Sequence, residues 1–205
     1  MKTIPRLIIL AFLTVFCQEI NAQSLSKKVQ KSVVEIGETF THNRKERLFV
    51  LDQVAFKLFK KHNEAQPVDV YFVDETTHEK SQLAMIWLRT GLMYYNRTSV
   101  LNIHATGVNS SPNDPDLNML QQYGFKVKNK KGKYVKFGSG SWEISSNTIE
   151  ALNLDEEDEK IYLTSGVLSS KNKNSIELPF STTDDIAREM LYIATRLNNL
   201  FQNKQ

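Results

Sequence analysis

The sequence predicts an α/β fold built on one small, mostly parallel sheet with helices on both sides, a three-layer arrangement. Two observations predict it. Short β-branched and aromatic runs alternate with longer stretches of helical periodicity along the chain. The 205 residues, 40% hydrophobic and 24% charged, also have the balance of a globular chain, which excludes collagen-like, low-complexity and wholly disordered classes. No internal repeat or Gly/Ser linker divides the sequence, so a single domain over residues 23–205 is expected.

The elements follow in order. Leu25 to Ile36 reads as a short helix ending at Gly37 as C-cap. Arg44 to Lys61 carries Leu48, Leu51, Val54, Ala55, Leu58 and Phe59 at amphipathic spacing, with Asn43 as N-cap. Residues 25–61 are thus an N-terminal helical extension. After Pro67, the run Val68-Asp69-Val70-Tyr71-Phe72-Val73 reads as a buried strand. A polar loop leads into a helix from Ser81 to Tyr95, weakened but not ended by Gly91. Val100 to Ala105 is a second strand, and Asp116 to Tyr123 a helix stopped by Gly124. Lys126 to Val127, Lys133 to Phe137 and Trp142 to Ile144 are short strand pieces. Ile161 to Thr164 and Ser175 to Phe180 supply further strands. Asp184 to Phe201 closes the chain as a helix capped by Thr183 or Asp184, with Ile186, Met190, Ile193, Leu197 and Leu200 on one face.

The first 22 residues read as a secretory signal peptide. Lys2 and Arg6 precede the uncharged run Leu7 to Phe16, and a cut after Ala22 leaves Gln23 first. That run is shorter than the ~20 residues a membrane span takes, so no span remains after signal removal. An uncleaved anchor and a lipidated Cys17 are the alternatives. The expected location is the periplasm or the exterior. Cys17 is the only cysteine, so the mature chain would have no disulfide, zinc-thiolate site or thiol nucleophile. Removal of Lys2, Arg6 and Glu19 takes the net charge from +3 to +2, which argues against a nucleic-acid partner. Lys126, Lys128, Lys130, Lys131, Lys133 and Lys136 alternate about Gly132 like the solvent face of a hairpin. Asp155 to Glu159 reads as a solvated loop or helix end.

In open parallel sheets ligands bind beyond the carboxyl ends of the strands, beside helix N-termini. The first such junction is Phe72-Val73-Asp74-Glu75-Thr76-Thr77-His78-Glu79-Lys80-Ser81-Gln82-Leu83. With the following Ala84-Met85-Ile86-Trp87 and Tyr94-Tyr95, it resembles the low-molecular-weight protein tyrosine phosphatase and arsenate reductase superfamily. It is nearest to a bacterial subgroup whose loop runs Phe-Val-Cys-Thr-His-Asn-Ser-Arg-Arg-Ser-Gln-Leu. Arg44 to Leu58, Thr106 to Phe125, Leu178-Pro179-Phe180 and Ile186 to Tyr192 are similar to the subgroup's leading helix, second-strand loop, last strand and closing helix. The resemblance covers most of residues 40–200 and implies the phosphatase-like, flavodoxin-like topology.

The catalytic residues do not carry over. The family's nucleophilic cysteine falls on Asp74, its arginine on Lys80, and its loop histidine and asparagine on Thr76 and Thr77. The stretch matching the general-acid loop, Thr164 to Ser170, contains no acid. A carboxylate is a weaker nucleophile than a thiolate, and loss of a general acid alone costs about 10²–10⁴-fold. Lysine lacks arginine's bidentate fork. No catalytic residue is therefore expected at Asp74, Lys80 or Ser81. Thr76, Thr77, His78, Lys80 and Ser81 remain as candidates for binding a small oxyanion or a protein partner.

Other chemistries find less support. Asp74-Glu75-Thr76-Thr77 lacks the second aspartate of haloacid-dehalogenase-like phosphatases. Asp74, Glu75, His78 and Glu79 are metal-ligating types without the spacing of a closed site. No metal or cofactor is expected. His42, His62 and His104 stand apart in sequence, and Trp87 and Trp142 read as packing residues. The expectation is an exported pseudophosphatase, with a hydrolase using Asp74 or a metal as the alternative.

Overall fold

A computed structural model describes residues 23–64, 68–75, 79–110, 114–129, 132–145, 147–152, 154, 158–163, 175–180 and 182–204. The proposed signal peptide, the loop residues Thr76, Thr77 and His78, and Thr164 to Ser170 lie outside them.

Helix α1 (Lys27–Gly37) begins at Ser26, whose hydroxyl accepts the Val29 N–H, and buries Val29 and Val33. A 3₁₀ turn over Phe40–His42 leads to α2 (Lys45–Glu64), which buries Leu51, Val54, Ala55 and Leu58 as its periodicity predicts. The Asn43 amide oxygen accepts from Arg188 Nε, tying this entrance to the last helix. Strand β1 (Val68–Asp74) buries Val68, Val70, Phe72 and Val73. Helix α3 (Glu79–Tyr94) follows, with eleven of its residues buried, so it lies inside the molecule rather than on it. Strand β2 (Leu101–Gly107) pairs in parallel with β1 over its full length, from Val68 opposite Leu101 to Asp74 opposite Gly107.

The segment Asn118–Tyr123 is a 3₁₀ turn and not the expected α-helix. Asp116 draws the Asn118 N–H to its own side chain, the local bonding that competes with a helix start. Gly124 ends the turn as predicted, at φ 95° in the left-handed region. Strands β3 (Lys126–Lys128), β4 (Lys133–Lys136) and β5 (Ser141–Ile144) form a separate antiparallel sheet in that order. The lysine hairpin is therefore real, with Lys126 opposite Lys136 and both exposed. Lys133 turns inward to the Pro115 carbonyl.

A 3₁₀ turn (Glu150–Leu152) precedes β6 (Glu159–Tyr162), which pairs with β1, and β7 (Ser175–Glu177), which pairs with β6, both in parallel. The main sheet runs β2-β1-β6-β7. Renumbered within the sheet that is 2-1-3-4, the flavodoxin-like order. Helix α4 (Thr183–Gln202) closes the chain, and its cap is Thr182, whose hydroxyl accepts the Asp185 N–H at 3.2 Å. That places the cap one residue ahead of the expected Thr183 or Asp184. Helix α4 packs on α1, α2 and α3, and α3 packs on β1 and β2. The fold is thus α/β, a four-stranded parallel sheet flanked by helices as in a three-layer flavodoxin-like sandwich, with a second small sheet added. Among the described residues no helix is long and apolar enough to cross a membrane.

One residue of the acidic run is a correction, while Asp155, Glu156 and Glu157 lie outside the described residues. Glu159 is fully buried at the start of β6, held by Lys57 and Lys61 of α2 at 2.9 Å each. A carboxylate is tolerated there because two ammonium groups one helical turn apart converge on it. Strand β6 therefore starts two residues before the apolar run that announces it.

Candidate functional site

The carboxyl end of β1 meets the amino end of α3, where the sheet topology places ligand sites. Asp74 is the last residue of β1 and is buried at 4% exposure. The alternating pleat and the fully paired β1–β2 ladder fix its backbone, and the next loop is laced to it. Its carbonyl accepts the Val108 N–H at 2.9 Å, and the Glu75 carbonyl accepts the Asn109 N–H at 3.3 Å.

The Asp74 side chain turns back onto main-chain amides. Its Oδ1 accepts the Glu75 N–H at 2.8 Å and its Oδ2 accepts the Lys80 N–H at 3.1 Å. Lys80 is the second residue of α3. The carboxylate therefore satisfies one of the four N–H groups that a helix start leaves open, and it sits in the positive end of the helix dipole. In a ligand-binding loop of this topology an oxyanion takes that place. Here the protein's own anion takes it.

Neighbouring charges reinforce this. Burial raises the Glu79 carboxyl above the ordinary range, and Asp116 and Asp74 push it further, against the opposing pull of Lys133 and Lys80. Glu75 is exposed beside them. Ser81 is fully buried, and so is Gln82, whose Nε2 donates to the Ser145 carbonyl at 2.6 Å. Segment 147–149 walls the same end of the sheet. The Asn147 carbonyl accepts from the Gly107 N–H and the Thr106 hydroxyl, and the Gly107 carbonyl accepts the Ile149 N–H at 2.8 Å.

Of the site residues read from the sequence, Asp74, Lys80 and Ser81 meet at this junction. Ser81 is fully buried there. Thr76, Thr77 and His78 lie outside the described residues. Among the described residues no group of three His, Cys, Asp or Glu side chains converges as a metal site.

The histidines separate. His42 is exposed, and His62 packs edge-on against Phe201. His104 is not isolated. Its Nε2 lies 2.8 Å from Asp69 Oδ1, and its ring stacks on Tyr71 at 4.6 Å. Strand register makes this cluster, since Tyr71 and His104 are cross-strand partners. The signal was present in the sequence only as alternate positions on two consecutive strands. Trp87 is core as expected, edge-on to Tyr123 and Phe125. Trp142 packs on Phe137 at 4.1 Å.

No family model, curated protein or solved structure matches the chain. The fold and this junction define a class, an α/β protein of flavodoxin-like strand order whose first strand ends in a buried carboxylate that accepts the Glu75 and Lys80 N–H groups.

Proposed function

We propose that the chain is an exported, non-catalytic phosphatase-like protein, a pseudophosphatase, that acts by binding a protein partner around residues 74–81. One observation carries the reading. Both oxygens of Asp74, at the position the resemblance assigns to the nucleophile, accept main-chain N–H groups, and the side chain is buried. A carboxylate so engaged stabilises the strand end and the helix start, and each of its oxygens is committed to a main-chain N–H rather than to a substrate. The alternative hydrolase would need one of those oxygens to attack phosphorus or to ligate a metal.

The same geometry favours a protein partner over a small oxyanion. Two amides of the junction, those of Glu75 and Lys80, already hold Asp74, and Glu79 and Asp116 add negative charge nearby. What the junction offers instead is a shaped acidic rim on rigid elements. Turnover of para-nitrophenyl phosphate by the purified protein, with and without magnesium, tests the reading beside an Asp74→Ala control. No turnover is expected. Turnover that disappears in Asp74→Ala would overturn the proposal and make Asp74 a nucleophile or metal ligand.

A further inference from the structure

Strand β2 is the outer strand of the main sheet, and a groove follows its free edge. Two cavities open there, of about 290 and 280 Å³, close to the lower end of the range for small-ligand sites. Both are lined by Arg89 and His104. Leu92, Met93, Ile103 and Trp142 give the first an apolar wall. The second runs on past Met85 toward Glu143 and Ser145 at the end of β5.

Arg89 sets the chemistry. It projects from α3 and donates through Nη2 to the Ile103 carbonyl on the β2 edge. Among the described residues no carboxylate forms an ion pair with it. Other half-buried arginines are treated differently. Arg47 is paired with Glu189 and Arg188 with Asp185, while Arg97 bonds Asn198 and lies over Phe201. Burial pushes the Arg89 guanidinium below its usual range, and no neighbouring acid draws it back. A guanidinium has five N–H donors in a planar fork that matches a carboxylate. Asp69 forms its ion pair with His104, Oδ1 to Nε2 at 2.8 Å.

We propose that this groove is a binding site for a small monocarboxylate with an apolar body, its carboxylate held by Arg89 and its body against Leu92, Met93 and Trp142. Charge complementarity fixes the anionic end, because a desolvated cation facing a cavity gains most from a partner that brings the opposite charge. One cation matches one carboxylate. The apolar wall selects against a fully polar anion. The site lies apart from Asp74 and does not depend on the reading of that loop.

Calorimetric titration of the purified protein with hexanoate and with the uncharged hexanamide is the test, together with the NMR signal of the Trp142 indole N–H. Saturable hexanoate binding that shifts the Trp142 signal is expected. Hexanamide and an Arg89→Met variant should each bind at least about tenfold more weakly, the size of a lost charge-assisted hydrogen bond. Because hexanamide is tested on the unaltered protein, the outcome does not depend on how the variant folds. Equal binding of acid and amide, absence of saturable hexanoate binding, or binding that leaves Trp142 unmoved would each overturn the proposal.

Discussion

If Asp74 is a built-in substitute for a bound oxyanion, removing its side chain should destabilise the protein in a way that an added oxyanion repairs. Asp74→Ala withdraws the acceptor for two N–H groups, at 2.8 and 3.1 Å. A buried donor left without a partner costs about 1–3 kcal/mol, so two cost about 2–6 kcal/mol before water re-enters. Loss of a negative charge at the helix start adds about 0.3–1 kcal/mol. Relief of repulsion with Glu79 returns on the order of 1 kcal/mol. With partial solvation of the freed amides, a net loss of about 2–3 kcal/mol is expected. Urea denaturation followed by tryptophan fluorescence measures it, since Trp87 is fully buried. The decisive comparison is sodium phosphate against sodium chloride at equal ionic strength. Phosphate at ten times its dissociation constant from the vacated amides would restore about 1.4 kcal/mol to the variant and nothing to the unaltered protein. A variant that loses stability yet ignores phosphate would refute the idea that Asp74 stands where an oxyanion binds.

Three further outcomes follow from particular contacts. Glu159→Ala should cost about 1.5–3 kcal/mol in the same denaturation assay, because it removes the fully buried carboxylate that lies 2.9 Å from each of the Lys57 and Lys61 ammonium groups. Gly91→Ala should be destabilising by about 1–3 kcal/mol although alanine is the better helix former, since the added methyl would lie 2.4 Å from the Ala194 Cβ of α4; a gain in stability would mean that α3 and α4 separate easily. The Glu79 carboxyl is raised in the folded state, so above its unfolded pKa the folded protein holds a proton that the unfolded chain has released, and the penalty for its charge grows as pH rises. The melting temperature of Glu79→Gln should therefore improve relative to the parent between pH 4 and pH 7, and a pH-independent difference would count against the acidic surroundings assigned to it.

The layer structure was legible because buried strands and amphipathic helices leave strong periodic signals. Val68–Asp74 and Leu101–Gly107 lie where the β-branched runs stand, and the last helix buries Ile186, Met190, Ile193 and Leu197 as its spacing foretells. Misreadings arose where a few local or distant contacts decide. Asp116 bonding the Asn118 N–H turned an expected α-helix into a 3₁₀ turn. Glu159 reads as solvated because nothing local announces the two lysines about a hundred residues earlier that meet its carboxylate. Gly91 appeared as a flaw in a helix, and its reason is the close approach of α4. At the candidate site, the position of Asp74 was readable from the strand–loop–helix pattern. Its inward turn onto amides was not, since a carboxylate at that place could equally have faced solvent.

These contacts together give the molecule an electrostatic plan inverted relative to a strand–helix junction that binds phosphate. There, phosphate chemistry requires a cation and free amides at the end of the first strand. Here the Glu75 and Lys80 amides hold Asp74, and burial with Asp116 and Asp74 raises the Glu79 carboxyl against the pull of Lys133 and Lys80. Arg89, a half-buried cation that forms no ion pair among the described residues, lies further along the same helix, beside the outer edge of β2. An incoming anion is thus repelled from the loop and attracted to the edge, where apolar side chains set a preference that phosphate does not meet. Substituting Asp74 should open the first place without affecting the second, and substituting Arg89 should do the reverse. Two sites that respond independently would show that helix α3 still organises anion recognition in this fold, moved from its N-terminus to its flank.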